Sequence, residues 1–308
     1  MRFLFLEKDE DAFAKLQVYA ATIQDAEVKL VNGEFEKSVP QIMEFVRRDA
    51  ETFPFVFIDP TGWTGFPLAS LRPLLTLRPV EILINHMTGH IQRFVEDPKD
   101  IGLRKSFIEM HGDENELVQI KELARKVGIE DASVIRYGEV VRREGSFKHI
   151  ARANVLYGDK NRTYFNLVYA TRADAGLEAF KGAERKSMEV MESQRLEVQR
   201  QKRAGKNQEE FQFAPEFDPD YSEHFAALRE RHLETSQKAV LDCVRSARLV
   251  SYDQLWGIAL AQPLTWEADL KSCLGDWRKQ GRIDYEKLPA GARVPKKGDG
   301  VLVRWIKD

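Results

Sequence analysis

The chain has 308 residues, which is more than one compact core usually needs and enough for two domains. Hydrophobic residues make up 43% and charged residues 31% of the composition, a mixture that excludes disorder along the whole chain. The formal net charge is -2, so any nucleic-acid surface must be local rather than a property of the whole protein. No apolar run is long enough to cross a bilayer and no signal peptide is recognisable, so we expect a cytoplasmic protein without a membrane partner.

The first 170 residues alternate short apolar runs with helical patterns. This rhythm is typical of a mostly parallel sheet with helices on both faces, because parallel strands need crossover connections. Strands are predicted at 2–6, 28–31, 55–58, 81–84, 154–157 and 164–170, the last two joined as a hairpin.

A long charged helix is predicted from 173 to 206. It carries seven basic and three acidic residues between Arg185 and Lys206, a pattern that favours a solvated face. The following segment contains Pro215, Pro219 and many carboxylates, which indicates a linker. The predicted organisation is therefore a first domain of residues 1–206, an acidic linker of 207–232 and a second domain of 233–308.

The second domain has the pattern of three helices followed by a β-hairpin. Thr265 is predicted to cap the third helix and Gly281 to end it, with the hairpin between 282 and 306. This order is typical of a winged helix-turn-helix. The domain carries thirteen basic and ten acidic residues, so charge leaves both DNA binding and protein docking open.

If the second domain binds DNA, clustered cations should contact the phosphates. The candidates are Lys271 and Arg278 on the third helix, and Arg293, Lys296 and Lys297 in the wing of the hairpin.

Acidic side chains follow three of the predicted strands. Glu7 and Asp9 follow the first strand, Glu34 follows the second and Asp59-Pro60 follows the third. Ligands of open α/β sheets bind beyond the carboxyl ends of the strands, where a carboxylate can accept hydrogen bonds from both hydroxyls of a ribose. The alternative for Asp9 is a helix cap, which the helix dipole favours equally. Proline after Asp59 fixes an extended turn that aims the carboxylate outward.

Two histidines, His86 and His90, are four residues apart and could lie on one helical face, as zinc ligands do. The H-E-x-x-H glutamate is absent and no third ligand is evident, so we predict no metal. A hydrogen-bonded histidine pair near a crevice is the preferred interpretation.

Four short segments occur in a moderately specific order and spacing. They are Phe-Leu-Glu-Lys-Asp at 5–9, Gly-Glu-Phe at 33–35, Phe-Ile-Asp-Pro-Thr-Gly at 57–62 and Val-Tyr-Ala-Thr-Arg at 168–172. Together they resemble the three-Cys-motif partner proteins of bacteria. The resemblance implies a Rossmann-like, methyltransferase-type domain followed by a winged helix. It also implies the cofactor S-adenosylmethionine, a separate partner that carries a three-cysteine motif, and action on or with DNA or RNA.

The same resemblance assigns roles to the acidic side chains. Glu7 would bind the cofactor ribose with Asp9 beside it, and Glu34 would lie near the adenine. Asp59 and Pro60 would line the place of the methyl acceptor and form the catalytic site, with Asp59 also near the cofactor.

One departure from the family pattern concerns the cofactor. Methyltransferases of this class open with a strand and a glycine-rich turn, whereas 2–6 looks like their second strand and no G-x-G occurs before residue 150. The first domain is thus predicted to be incomplete at its amino end, and two central strands to lack a shared neighbour. Three explanations are open: the sequence starts late, the two strands pair directly, or another segment or chain supplies the missing strand. A non-catalytic adaptor is therefore the competing function.

Overall fold

A computed structural model describes residues 1–60, 66–87, 101–204 and 222–307. In these ranges the protein is mixed α/β, with ten helices and nine strands. It divides into an N-terminal unit, Met1–Lys148, and a C-terminal unit, His149–Asp308, whereas the sequence predicted a first domain of 1–206. None of the helices in these ranges is long and apolar enough to span a membrane. Residues 61–65 and the part of the predicted linker from 207 to 221 lie outside the described residues.

The N-terminal unit contains four strands and six helices among its described residues. In chain order they are β1 (Arg2–Glu7), α1 (Glu10–Ala20), β2 (Glu27–Asn32), α2 (Phe35–Arg47), β3 (Phe55–Ile58), α3 (Leu68–Leu75), β4 (Glu81–His86), α4 (Ile101–His111), α5 (Asn115–Val127) and α6 (Ile129–Gly145). The four strands predicted for this region are confirmed, with ends within two residues of the expected positions.

The strands of this unit form two separate parallel pairs. β1 pairs with β2 along its whole length, from Arg2 opposite Glu27 to Glu7 opposite Asn32, as a two-stranded sheet of its own. β3 pairs with β4, beginning at Phe55. No strand in the described ranges joins β1 to β3. The expectation of one continuous parallel sheet is therefore not met in this unit.

The core of the N-terminal unit lies between α3 and α6. Leu71, Leu74 and Leu75 of α3 are fully buried, as is Tyr137 of α6. Gly145 ends α6 at a close approach, because a Cβ atom there would lie 2.2 Å from the Phe147 ring and 2.9 Å from the Leu75 carbonyl oxygen. Glycine at this position therefore allows α6 to end against α3.

The C-terminal unit contains five strands and four helices in the described ranges. They are β5 (His149–Leu156), β6 (Thr163–Thr171), α7 (Asp174–Ala204), α8 (Glu223–Ala247), β7 (Leu249–Ser251), α9 (Tyr252–Leu260), α10 (Glu267–Lys279), β8 (Ile283–Glu286) and β9 (Leu302–Trp305). The predicted β5–β6 hairpin is confirmed as an antiparallel pair. β8 and β9 form the second predicted hairpin, and β7 adds to the other edge of β9. β7 was not predicted, because three residues are too few to show an alternating pattern.

The linker prediction is wrong for residues 223–232, which form the first turns of α8. The Ser222 hydroxyl oxygen accepts a hydrogen bond from the Phe225 backbone N–H at 3.2 Å and so caps the helix. Phe225, Leu228 and His232 are buried at helical spacing. Apolar periodicity, rather than the proline and carboxylate content nearby, marks this segment as structured.

The long helix α7 is confirmed, but the expectation of a solvated face is wrong for four of its charged residues. Lys181, Glu184, Glu192 and Arg195 are 3%, 4%, 0% and 1% exposed. Lys181 forms an ion pair with Glu184 and donates to the Gln262 carbonyl oxygen at 2.8 Å. These charges turn inward because α7 packs against the rest of its unit, where Met188 joins Phe225 and other apolar residues in one cluster.

The third helix of the C-terminal region begins one residue later than predicted. Trp266 is the N-cap of α10, and its backbone N–H donates to the Asp269 carboxylate at 2.9 Å. Thr265 is buried instead, and its hydroxyl donates to the Pro263 carbonyl oxygen at 3.2 Å. The predicted cap at Thr265 is therefore corrected to Trp266, where a carboxylate in the first turn binds back to the free N–H.

Candidate functional site

The carboxyl ends of β1 and β2 lie side by side and bring Glu7 next to Asn32. The Asn32 side-chain amide and the Gly33 backbone N–H both donate to the Glu7 carbonyl oxygen at 3.0 Å. The Glu7 carboxylate accepts from the Asp9 backbone N–H at 2.8 Å through Oε1. Its Oε2 has no hydrogen-bond partner among the described residues, so it is free to accept a hydrogen bond from a ligand.

Asp9 and Glu34 are both engaged by their own surroundings. Asp9 is the N-cap of α1 and accepts from the Ala12 backbone N–H at 2.8 Å, which agrees with the cap interpretation. Glu34 is paired with Lys37 at 2.6 Å and with Lys8 at 3.0 Å. Hydrogen bonds from Lys37 and then Lys8 lower the pKa of Glu34 to about 2, so this carboxylate is ionised at neutral pH.

The carboxyl ends of β3 and β4 form a second edge. Asp59 directly follows β3 and is exposed, and the Asn85 side-chain amide donates to its Oδ1 at 2.6 Å. Asn85 is buried near the end of β4, so it holds the carboxylate from the protein side. Pro60, predicted with Asp59 as catalytic, follows at a half-buried position. The arrangement presents an oriented carboxylate to solvent.

A buried cluster of rings begins one residue after Asn85. The ring centroids of His86 and Tyr137 are 4.8 Å apart, those of His111 and Tyr137 are 5.6 Å apart, and Phe107 stacks on His111 at 4.2 Å. We call His86, His111 and Tyr137 the histidine–tyrosine cluster. Burial lowers the pKa of His86 to about 3 and that of His111 to about 4, and it raises the pKa of the Tyr137 hydroxyl. All three side chains are therefore neutral at physiological pH.

The pair of His86 with His90 stays a prediction, and the structure places the His86 ring beside His111 and Tyr137. Neither ring nitrogen of His86 has a hydrogen-bond partner in the described part of the chain, and His90 lies outside it. No group of three histidine, cysteine, aspartate or glutamate residues among the described ones could hold a metal ion. The cluster is packed as an aromatic core behind the Asp59 edge.

Sequence reasoning missed three residues of this second edge. Asn85 directly follows the apolar run of β4, so the strand-end rule that selected Asp59 could also have selected it. His111 and Tyr137 lie at the end of α4 and in the middle of α6. Nothing in their local sequence predicts that they meet His86, because the contact exists only in the tertiary structure.

Two candidate nucleic-acid contacts on and near α10 are paired with carboxylates. The Lys271 ammonium lies 2.8 Å from the Glu267 carboxylate. The Arg278 guanidinium lies 3.0 Å from Asp284 and 4.7 Å from the centre of the Tyr285 ring. Both cations are thus largely balanced within the unit.

The three candidate residues of the wing differ among themselves. The Lys297 ammonium lies 4.3 Å above the Trp256 ring and 3.0 Å from the Glu178 carboxylate, and its side chain is only 21% exposed. Arg293 and Lys296 are exposed and have no ion-pair partner among the described residues. Lys297 therefore anchors the wing to α7, and Arg293 and Lys296 are available to a partner.

A cavity of about 510 Å³ lies in the N-terminal unit, and none of the predicted site residues lines it. It is lined by Arg136, Glu139, Arg142, Arg143, Ser146 and Phe147. Glu116 pairs with Arg136 at 2.8 Å and lies 3.6 Å from Arg143, and Glu139 pairs with Arg142 at 2.6 Å. The arginine charges are thus largely compensated within the protein.

Comparison with known proteins gives no further assignment: no protein-family model, no curated protein and no solved structure matches the chain.

Proposed function

We propose that this chain is a methyltransferase-like three-Cys-motif partner protein that acts on or with nucleic acid, together with a protein that carries a three-cysteine motif. The observation that supports the proposal is the position of Glu7 and Asp59. Each carboxylate lies at the carboxyl end of a parallel strand pair, where ligands of α/β proteins bind. The family assignment itself depends on the sequence segments quoted above.

The described residues fit one end of S-adenosylmethionine better than the other. Glu7 has a free carboxylate oxygen that can accept a ribose hydroxyl, and Glu34 stays ionised beside it through Lys8 and Lys37. The amino-acid end of the cofactor needs a turn with closely approaching backbone amides. The described residues that surround Glu7 contain no glycine-rich turn of that kind. The fit is therefore to the sugar and not to the amino-acid end.

Calorimetric titration of the full chain with S-adenosylmethionine tests the cofactor part of the proposal. We expect weak, saturable binding that Glu7→Gln weakens at least tenfold, because a hydrogen bond to a charged acceptor is lost. The matched control is Glu10→Gln, an exposed carboxylate in the first turn of α1, which should leave affinity unchanged. Absence of saturable binding, or equal binding by both variants, would contradict a cofactor site at Glu7.

We also propose that α8, α9, α10 and the β8–β9 hairpin form a winged helix, because helix order and the β7–β9–β8 sheet agree with that motif. Its nucleic-acid contacts would come from Arg293 and Lys296. Replacing both by alanine should reduce the salt dependence of duplex DNA binding by about two in the log–log slope. Fluorescence anisotropy over a salt series measures this, with the exposed Lys105→Ala as control. An unchanged slope would assign the module to protein docking.

A non-catalytic adaptor is the second candidate function. It is favoured by the pairing of β1, which has a hydrogen-bonded neighbour on one edge only within the described ranges. In an adaptor the scaffold would serve protein contacts, and the acidic residues at the strand ends would serve as caps and ion pairs. The titration above separates the two candidates, because only the methyltransferase-like protein binds the cofactor.

A further inference from the structure

Three phenylalanines form an exposed row along β3 and the residues before it. Phe53, Phe55 and Phe57 are 57%, 57% and 54% exposed. Alternate residues of an extended chain point to the same face, so the three rings line one side of this segment. Single exposed apolar residues are common, but a contiguous apolar patch marks an interaction site. We call these residues the phenylalanine row.

The backbone beside the phenylalanine row is open as well. β3 is hydrogen-bonded to β4 on one edge and, among the described residues, to no strand on the other. β1 has the same property, with β2 on one edge only. Neither 53–58 nor 3–6 contains a charged residue, although charges and prolines are what usually protect edge strands from pairing. Pro54 is the one such residue in these two segments.

The amino end of β1 contacts the segment that leads into β3. Arg2 starts β1, and its guanidinium donates to the hydroxyl of Thr52, just before the phenylalanine row. The same guanidinium donates to the Phe45 carbonyl oxygen at 3.4 Å, which fixes its direction. Neighbouring strands are about 4.8 Å apart, so two strands that flank a third are separated by about 10 Å. An extended arginine and a threonine side chain together span a gap of that size.

We propose that the space between β1 and β3 is a docking slot for one extended strand supplied by another polypeptide. The strand would exchange backbone hydrogen bonds with both open edges and place apolar side chains against the phenylalanine row and the half-buried Phe3 and Phe5 of β1. The flanking segments determine its chemistry: it is uncharged, rich in apolar residues at alternate positions, and about as long as the six-residue β1. This inference goes beyond the proposed function and does not depend on cofactor binding.

A second copy of the chain is a poorer occupant of the slot. Three half-exposed phenylalanine rings offer roughly 300 Å² of surface. A stable dimer buries about 800 Å² on each partner, so the row alone is too small to hold two copies together. A single strand needs less side-chain area because its main chain supplies hydrogen bonds on both sides.

The test uses the full chain and a phage-displayed library of random ten-residue peptides. We expect selected peptides to share an uncharged, alternating apolar pattern. A synthetic peptide of the selected sequence should slow amide hydrogen exchange in β1 and β3. The double variant Phe55→Ser with Phe57→Ser should weaken its binding at least tenfold, whereas Tyr19→Ser, which alters a 62% exposed ring on α1, should not.

Several outcomes would overturn the slot. One is a library that yields no shared pattern, and another is exchange protection elsewhere than in β1 and β3. Equal peptide affinity of the double variant and the wild type would also overturn it. The last contrary outcome comes from sedimentation of the free chain. If the chain forms a dimer that the double variant abolishes, a second copy is the occupant of the slot. Thermal unfolding of each variant shows that it is folded, so loss of binding reports on the row.

Discussion

In the C-terminal unit, six of the eight residues of β5 are buried, whereas none of the six residues of β1 in the N-terminal unit is. The sequence predicted β1 nearly in full, but it predicted β5 only from residue 154, so residues 149–153 of that strand were missed. β5 has β6 along one edge and α7 packed against it, while β1 has β2, α1 and α2 but an open second edge in the described ranges. The difference teaches that an apolar run determines the strand, and its neighbours determine the burial.

Charged residues show the same contrast. α7 buries Lys181, Glu184, Glu192 and Arg195, while the N-terminal unit leaves the apolar side chains of the phenylalanine row in solvent. Burial of charge requires complete pairing, since an unpaired buried charge is strongly destabilising. In the C-terminal unit Lys181 is paired with Glu184, and the Arg195 guanidinium lies 3.8 Å from the Glu192 carboxylate.

The largest effect is expected from a substitution that breaks the buried charge pair of the C-terminal unit. Glu184→Ala leaves the Lys181 ammonium without its carboxylate and the Leu264 backbone N–H without the acceptor that now lies at 2.9 Å. We expect a loss of about 3–5 kcal/mol in the free energy of unfolding. Urea unfolding measures it. Glu189→Ala on the same helix, whose partner Arg185 is exposed, should cost less than about 0.5 kcal/mol.

The next effect concerns acid stability and the histidine–tyrosine cluster. Folding depresses the pKa of His86 to about 3 and that of His111 to about 4, so below about pH 6.5 the unfolded chain binds more protons than the folded one. Stability is therefore present above pH 6.5 and decreases as the pH falls towards the folded pKa values. Between pH 7 and pH 5, each of the two histidines should lower the free energy of unfolding by about 2 kcal/mol.

The variant His86→Phe measures how much of this pH dependence comes from the imidazole of His86. A phenyl ring keeps the contact with Tyr137 and takes up no proton, so the loss of stability between pH 7 and pH 5 should shrink by about 2 kcal/mol. Urea unfolding at the two pH values gives the difference. His224→Phe in the C-terminal unit is the control, since that ring is half-exposed whereas His86 is fully buried. An unchanged pH dependence in the His86 variant would show that the ring is not held neutral.

The smallest effect on stability is expected in the wing, where the anchored Lys297 is compared with the exposed Lys296. Lys297→Ala removes the contact with Trp256 and the ion pairs with Glu178 and Asp174. We expect a loss of about 1 kcal/mol, with faster hydrogen exchange in the wing. Lys296→Ala, at the neighbouring exposed position, should change the free energy of unfolding by less than about 0.5 kcal/mol. Equal effects of the two variants would contradict an anchoring role for Lys297.

Local patterns predicted most elements but few of their partners. The β3 strand was predicted residue for residue, because an apolar run between turn signals is readable locally. The pairing of β1 depends on which strand lies beside it, and no residue within 2–6 carries that information. The linker prediction gave too much weight to composition and too little to the helical spacing of Phe225, Leu228 and His232.

The candidate site was predictable in the same uneven way. Glu7, Glu34 and Asp59 are found from the rule that ligands bind at the ends of strands. Whether such a carboxylate is free to bind a ligand depends on the residues that surround it in the folded chain. Lys37 and Lys8 form ion pairs with Glu34, and the Asp9 side chain caps α1. The wing lysines look alike in sequence, and only their contacts distinguish them: Lys297 meets the Trp256 ring and the Glu178 carboxylate, and Lys296 is exposed.

The phenylalanine row also bears on how the protein is handled in the cell and in the test tube. An uncharged edge strand with exposed aromatic rings is a template on which identical segments can stack into cross-β aggregates. Pro54 lacks a backbone N–H and interrupts such stacking at one end of β3, which leaves 55–58 as the vulnerable stretch. Chain produced without its strand partner should therefore lose solubility as its concentration rises, and co-expression with that partner should restore it.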